Sequence, residues 1–463
     1  MSKKANRTEK YPSDNKRILI IGAGPTGLGA AWRLQELGYK NWEIYEKNSY
    51  VGGLSASFTD NKGFTYDIGG HVIFSHYNYF DQVMEEVLKG KYLTHQRNSW
   101  IWLKDRFIPY PFQNNIRYLP KDKIISCLIG LAEATGNTRR STNFKEWIVQ
   151  MFGNDIARYF MLPYNRKQWS YPLEKMAKDW IAERVSVIDF KRILENVLYK
   201  RDDIEWGPNA CFHFPLNGGT GGLYKGFIPY IKEKLHLDNE VCRIDSKKKK
   251  VELSNGSWEN YDYLINTMPL DELADRLYPP VGWLSQAVNK LKFNQAYIVG
   301  VGITRPCPSN KCWMYFPEKT SPFYRVTYLS NYSPNMVPDK NHFLLLTETT
   351  HSSYKRVPRE KIVDMTLEGL VNVKLLEKDD LNLIASVYVI EIDHCYPIPS
   401  LRRDEALAEI HPYLENADIY SRGRFGGWLY EIGNMDHSLM QGTELIDRLL
   451  LGKKEKVWHL LQK

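Results

Sequence analysis

Three stretches of this chain combine residue types at spacings that can hold and use a dinucleotide cofactor. Gly22-Ala-Gly24-Pro-Thr-Gly27 follows an apolar run and opens a helical pattern, the setting in which a G-x-G-x-x-G triplet binds a pyrophosphate. Gly22 permits the tight turn, Gly24 lets the backbone approach the phosphates at the positive end of a helix, and Gly27 lets helix and strand pack closely. Pro25 stands at the first helical position, where its missing N–H costs nothing. Glu46 lies at the distance where a carboxylate accepts from a ribose hydroxyl, which favours a cofactor without a 2′-phosphate; an ordinary strand-end acid would look the same. In Asp67-Ile-Gly69-Gly70-His71 two glycines precede a histidine. A peptide there could flip beside a bound cofactor ring whose nitrogen accepts in one redox state and donates in the other, because positive φ carries no Cβ penalty at glycine. A plain tight turn with a core histidine fits the same residues.

These residues need elements to position them. Arg17-Ile-Leu-Ile-Ile21 reads as a strand covered on both faces. Leu28, Ala31, Trp32 and Leu34 recur at helical spacing from Thr26 to about Leu37, and Trp42 to Glu46 reads as a second strand. The start is therefore a βαβ unit. Between Leu119 and Glu205 the pattern turns helical, over Ile124–Ala134, Phe144–Phe152 and Trp180–Tyr199. Val241–Leu253 reads as a hairpin with Lys247–Lys250 as its solvated tip, and Tyr261–Pro269 as a buried strand running into a turn. Four β-rich segments follow, at Tyr297–Ile303, Phe323–Leu329, Phe343–Glu348 and Ser386–Ile392, and Ile446–Leu461 reads as a last helix. The expected fold is α/β. It has a discontinuous Rossmann-like FAD-binding domain (1–96, 207–290, 420–463), a helical insertion domain (116–206) and a mainly antiparallel β-sheet domain (97–115, 291–419).

At 463 residues the chain exceeds what one core usually supports. With 43% hydrophobic and 25% charged residues it has an ordinary globular composition, and no apolar run is long enough to span a bilayer. Met1–Arg17 has no apolar centre, so neither a secretory signal nor an anchor is expected there. Six cysteines at irregular spacing, with no C-x-x-C pair, argue against zinc and against a disulfide framework and fit free thiols in the cytoplasm. No metal is expected. The net charge of +8 suits nucleotide and phosphate ligands, yet dispersed lysines account for it as well. No nucleic-acid or membrane partner is expected.

Val51-Gly-Gly-Leu-Ser55, a second glycine pair close behind the first, resembles FAD-dependent oxidoreductases more than NAD dehydrogenases, so FAD is the expected cofactor, with Gly53 and Ser55 among its contacts. Further on, in order, come Gly69-Gly-His-Val-Ile-Phe-Ser-His76, Tyr110-Pro-Phe-Gln-Asn-Asn115, Trp206-Gly-Pro-Asn209 with Gly218-Gly-Thr-Gly-Gly222, Cys312-Trp-Met-Tyr-Phe-Pro317, Pro322-Phe-Tyr-Arg325 and Ser421-Arg-Gly-Arg-Phe-Gly426. From Ile18 to about Gln441 the chain thus resembles the eukaryotic-type UDP-galactopyranose mutases.

That resemblance implies a non-redox isomerase interconverting UDP-galactopyranose and UDP-galactofuranose. In the family the N5 of reduced FAD attacks the anomeric carbon, UDP leaves, the ring opens to an iminium and recloses through another hydroxyl, and UDP returns. Arg325 and Arg424 match the diphosphate clamp, a task suited to guanidinium forks. Arg422, two residues away, is not separated from Arg424 by spacing, and the preference rests on the resemblance alone. Tyr315, Tyr396 and Tyr430 match tyrosines around the diphosphate and flavin. Arg184, Asn209, Asn165 and Trp169 match sugar or phosphate contacts, and Tyr110 and Gln113 the uracil platform. Gly70 and His71, with Phe74 and His76 nearby, match the loop beside the flavin. Arg97 matches a residue that helps NADPH or NADH bind and prime the flavin. Asn434, His437 and Ser438 match the segment closing over it. Substrate flaps are expected at Asp179–Phe190 and around Trp206.

Glu205 and Met435 depart from the family pattern, which bears on contacts at the nucleotide edge. A shorter tail than in some relatives leaves the oligomeric state open, a homo-oligomer included. A flavin-dependent mutase of another sugar nucleotide, an amine-oxidase-like FAD oxidoreductase and a non-catalytic redox sensor share much of this pattern. Paired phosphate-clamping arginines with a base platform separate the first from the second.

Overall fold

The computed structural model describes residues 15–135, 140–181, 184–186, 189–205 and 207–458. They form two compact units, one of Met1–Gly53, Tyr224–Asn289 and Glu405–Lys463, the other of Leu54–Leu223 and Lys290–Asp404. The helical stretch and the antiparallel sheet, expected as separate domains, share the second unit, and Leu54–Gln96 goes with them.

The first unit is built on a five-stranded parallel sheet in the order Ile419–Ser421, Tyr263–Asn266, Ile18–Ile21, Trp42–Tyr45, Leu235–His236. Every residue of Ile18–Ile21 is buried, as a parallel strand covered on both faces requires. The Pro25–Glu36 helix packs on the Met435–Leu451 helix. Their backbones meet where a Cβ on Gly29 would stand 2.3 Å from the Leu439 carbonyl oxygen and one on Gly442 2.0 Å from that of Thr26. The last helix was expected over Ile446–Leu461; instead it begins at Met435 and ends at Leu451, where Gly452 takes φ +66°. A glycine at this position stops a helix at no steric cost. Residues 459–461 of the expected helix lie outside the described residues.

The second unit centres on a seven-stranded sheet in the order Ile384–Ile398, Lys292–Ile303, Phe343–His351, Arg325–Tyr328, Trp313–Tyr315, Trp100–Leu103, Arg106–Pro109. Only the contact between Trp313–Tyr315 and Trp100–Leu103 is parallel. Tyr297, Val299, Val301 and Ile303 alternate onto one face and form a core with Met314, Val326, Phe343 and Leu345, under Ile362 and Leu370 of the Ile362–Asn372 helix. Three strands outrun the expectation, Lys292–Ile303, Phe343–His351 and Ile384–Ile398. The polar residues that hide the first extension from an apolar pattern are accounted for by bonding: the side chain of Asn294, buried, donates to the Trp169 carbonyl at 2.8 Å and accepts the Tyr396 N–H at 3.0 Å.

Of the helical stretch, Lys121–Thr135 and Phe144–Ile156 form as expected, the latter continuing through a π turn, Ala157–Met161, into Leu162–Trp169. Trp180–Tyr199 is not one helix. Among its described residues the α-helix is Phe190–Leu198, started by the Asp189 side chain accepting the Arg192 N–H, a capping signal that overrides the apolar periodicity before it. Of the expected flaps, Trp206, Ala182, Glu183, Val187 and Ile188 lie outside the described residues.

Candidate functional site

In the first unit the strand Ile18–Ile21 delivers the chain into a turn at Gly22, whose φ is +94°. A Cβ there would stand 2.3 Å from Thr267 Oγ1, and one on Gly27 would lie 1.9 Å from the Gly22 oxygen. Both positions are therefore closed to any side chain. The Pro25–Glu36 helix starts from Gly24, with its positive end at this turn. The second glycine pair docks onto it: Gly52 N–H donates to the Ala23 oxygen at 2.8 Å, and Gly53 lies beside Gly24.

Glu46 is 6% exposed. Its carboxylate accepts the Ala23 N–H at 2.8 Å, the Asn48 N–H at 2.8 Å and the Asn48 Nδ2–H at 2.6 Å. A carboxylate has about four acceptor sites, so one remains for a ribose hydroxyl while the others brace the turn. The turn, the helix end and this acid fit the diphosphate and ribose of an FAD.

The same unit brings a second group to this turn. A Cβ on Gly423 would stand 2.5 Å from Thr26 Oγ1, so the loop carrying Arg424 passes directly beside the start of the first helix. Gln441 fixes that loop, accepting the Gly423 N–H at 2.9 Å and donating to the Ile432 oxygen at 2.8 Å. Arg424, half-buried, donates to the Gly433 oxygen at 3.0 Å and lies 5.8 Å from the Tyr430 ring centre. Asn434 is the residue before the Met435–Leu451 helix, with His437 and Ser438 in its first turn; Ser438 N–H donates to the Asn434 oxygen, and His437 Nδ1 lies 3.0 Å from Asp436 Oδ1.

Arg422 goes elsewhere. Fully buried, it donates to both oxygens of Glu455 at 2.7 and 2.8 Å, to Glu415 at 2.7 Å and to the Ser421 oxygen at 3.0 Å, with Trp458 stacked 4.2 Å away.

In the second unit a charged row crosses the sheet. Tyr315 pairs with Arg325, and Arg325 with Glu348, on successive strands. Glu348, 3% exposed, accepts from Nε and Nη2 of Arg325, from the Tyr324 hydroxyl and, at 3.0 Å, from the Gly70 N–H. Burial alone would raise this carboxyl, but Arg325 and the three kinds of donor outweigh it and hold it below the usual range. Burial likewise works against the Arg325 charge, and Glu348 more than restores it. The Nη1 group of Arg325 has no acceptor among the described residues, and the side chain is 20% exposed.

Tyr396 joins through its hydroxyl, 2.9 Å from that of Tyr324. Gly70 lies in the loop where Gly69 has φ +93° and His71 N–H donates to the Gly69 oxygen at 2.9 Å. A Cβ on Gly70 would meet Thr327 Oγ1 at 2.4 Å. Just upstream, Asp67 is fully buried, accepting from Ser57 Oγ at 2.6 Å, Thr220 N–H at 3.1 Å and Thr220 Oγ1 at 2.7 Å. Burial pushes its carboxyl up to about 6 against those bonds. Ser55 is buried two residues before Ser57.

Beside this row stands an aromatic group. The rings of Tyr110 and Tyr315 lie 5.2 Å apart, and Tyr164 packs edge-on to Tyr315. Trp313 Nε1 donates to the Tyr315 hydroxyl at 2.7 Å, so that hydroxyl accepts inward and keeps its proton for a ligand. Burial raises the phenol, which retains the proton despite Arg325 and Trp313. Arg97 lies over the Tyr110 ring and bonds to Asn209. Gln113, buried, donates to the Ser186 oxygen at 3.1 Å, two residues from the half-buried Arg184. Asn165 and Trp169 bond each other at 3.2 Å, and Trp169 packs edge-on to Tyr396.

Glu348, Tyr324 and Gln441 carry much of this geometry and were missed by the sequence reading. A run of Thr347-Glu-Thr-Thr350 inside an otherwise apolar strand is the one signal that pointed at Glu348.

Residues 25–384 match the family described as flavin containing amine oxidoreductase. The crystal structure of a reduced UDP-galactopyranose mutase superposes with a TM-score of 0.93 at 43% identity, covering 96% of this chain and 97% of that one. Cyclohexylamine oxidase of Brevibacterium oxydans aligns at TM-score 0.67 and 14% identity over 94% of this chain and 99% of the other, a likeness of fold. In sequence, a 4,4'-diapophytoene desaturase of Staphylococcus haemolyticus is 26% identical over 62% of this chain and spans 63% of the desaturase's length. The chain belongs to the flavin containing amine oxidoreductase family and, within it, to the UDP-galactopyranose mutase family of enzymes.

Proposed function

We propose that this chain interconverts UDP-galactopyranose and UDP-galactofuranose with reduced FAD. The observation that carries the reading is Arg325: a guanidinium held by a buried carboxylate on one edge, with Nη1 left for an anion, in register beside a tyrosine whose proton is available to donate. Such a pair suits a diphosphate leaving group, because its charge is fixed before the ligand arrives and needs no reorganisation.

Gly22, Gly24, Gly27, Glu46, Gly53 and Ser55 would hold the FAD, with Asn434, His437 and Ser438. Reduced FAD, when bound, supplies the nucleophilic nitrogen for the anomeric carbon. Arg325 and Arg424 then stabilise the charge on departing UDP, and Tyr315, Tyr396 and Tyr430 donate to or orient its phosphates. Tyr110 and Gln113 receive the uracil, while Asn165, Trp169, Arg184 and Asn209 shape the sugar end. Gly70 and His71 would respond to the flavin's redox state through a flip of their peptide, and Glu348 ties that loop to Arg325. NADPH or NADH is the proposed reductant and the cytoplasm the proposed location; the six cysteines are all free, and no helix among the described residues is long and apolar enough to cross a membrane.

Anaerobic incubation with UDP-galactofuranose, with and without dithionite, tests this. UDP-galactopyranose should form only in the reduced sample, with no net flavin oxidation. A reducible yellow protein that leaves the sugar unchanged would overturn the reading.

A further inference from the structure

The family resemblance gives Arg97 to the nicotinamide reductant, but in the structure it is held by Asn209 and Tyr110, residues that the proposed function gives to the UDP-sugar. Its backbone N–H donates to the Ala210 oxygen at 2.9 Å, continuing the ladder of the Tyr92–Gln96 and Cys211–Pro215 ribbon. The residue is 7% exposed. Nη1 donates to Asn209 Oδ1 at 2.8 Å, Nη2 donates to the Ile204 oxygen at 2.7 Å, and the guanidinium lies 5.1 Å from the Tyr110 ring centre. One planar group therefore grips a segment at positions 204 and 209 and stacks on the aromatic ring facing it. The next residue back, Asp203, is itself buried and bonded by Asn114 and Asn115, from the stretch that carries Tyr110 and Gln113.

Two physical consequences follow. Guanidinium can only donate, so Asn209 must turn its amide oxygen toward Arg97 and leave its Nδ2–H donors for an acceptor such as a phosphate or sugar oxygen. A lysine ammonium cannot reach two acceptors in a plane while stacking on a ring. Gly207 belongs to the same device: at φ +101°, a Cβ would stand 3.3 Å from both Arg97 Nη1 and Asn209 Oδ1.

We propose that Arg97 is a positioning residue of the UDP-sugar site, fixing the amide polarity of Asn209 and the plane of Tyr110, so that it governs UDP affinity independently of any nicotinamide cofactor. The inference rests on the UDP-sugar reading above.

The test is calorimetric titration of UDP into dithionite-reduced holoenzyme, nicotinamide omitted, for wild type, Arg97→Met, Arg97→Lys, Asn209→Ala and the Arg97→Met/Asn209→Ala double variant, alongside steady-state turnover. Arg97→Met should weaken UDP about tenfold, the cost of a lost charge-assisted bond, and raise KM while kcat stays within about twofold. Arg97→Lys should not rescue it, and the double variant should bind no worse than Arg97→Met alone. Wild-type UDP affinity in Arg97→Met, with the defect confined to NADPH-driven reduction, would overturn the proposal; so would additive losses in the double variant. Should Arg97→Met fail to retain flavin, Gly207→Ala takes its place, and unaltered UDP affinity there would overturn it equally. A wild-type protein that binds no UDP would instead defeat the function reading on which this rests.

Discussion

Arg422 and Arg325 are each joined to a buried glutamate by two hydrogen bonds, yet they end in opposite conditions. Around Arg422, Glu455 and Glu415 are also bound by Arg448, and Trp458 closes the remaining face. The charges are spent on one another. Around Arg325, Glu348 satisfies one edge only, and its other lone pairs go to Tyr324 and the Gly70 N–H rather than to a second cation. A buried ion pair is weak evidence for either stability or function by itself; what separates the two is whether a donor is left facing outward.

The sharpest way to test that contrast is Arg325→Ala, which should lower kcat/KM by about a hundred- to a thousandfold, the usual loss for a preorganised charge at a leaving group. Residual activity near wild type would erase the distinction. Arg422→Met should show the converse: a loss of about 3 kcal/mol in denaturant unfolding, because two carboxylates lose a buried partner, with UDP affinity of the folded fraction unchanged. A catalytic defect larger than the unfolded fraction explains would break the comparison.

The two regions should also answer acid with opposite signs. His411, fully buried with Arg422 nearby, is held down to about 3, chiefly by burial. The unfolded chain therefore binds the proton more readily, and the stability this neutral imidazole contributes is lost as pH falls through 6.5 toward 3, about 2 kcal/mol by pH 5. Asp67 is raised to about 6 from 3.8, so the folded state takes up the proton first and gains about 1 kcal/mol between pH 7 and pH 5. Melting curves at the two pH values should show His411→Phe flattening the first response and Asp67→Asn the second. An unchanged pH slope in either variant would remove that half of the contrast. The smallest kinetic effect is expected for Tyr315→Phe: removing one outward donor should raise KM about fivefold, and the melting temperature should fall because buried Trp313 Nε1 loses its acceptor.

Much of the first unit was legible because its determinants are local. Gly22, Gly27 and Glu46 lie within one βαβ unit, and each reports a constraint set by its near neighbours. The charged row of the second unit was not legible in the same way. Glu348 and Arg325 meet only because two antiparallel strands adopt one register, and a slip of one residue would put them on opposite faces. No spacing within a single strand records that. Spacing could not separate Arg422 from Arg424 for the same reason, since the carboxylates that claim Arg422 come from Glu415 and Glu455, in other parts of the chain. The overlong helix at Trp180–Tyr199 was a local error instead: Asp189 carried a start signal that periodicity masked.

The glycine crossing of the first and last helices also sets an order of events during synthesis. The turn at Gly22 leaves the ribosome early, but Gly29 and Thr26 meet their partners Leu439 and Gly442 only after more than 400 further residues have been made. Until then the nascent nucleotide cradle lacks the helix that backs it, while the whole of the seven-stranded sheet has already emerged and can fold. Flavin capture should therefore wait for the last helix, and nascent chains arrested before Met435 should be colourless.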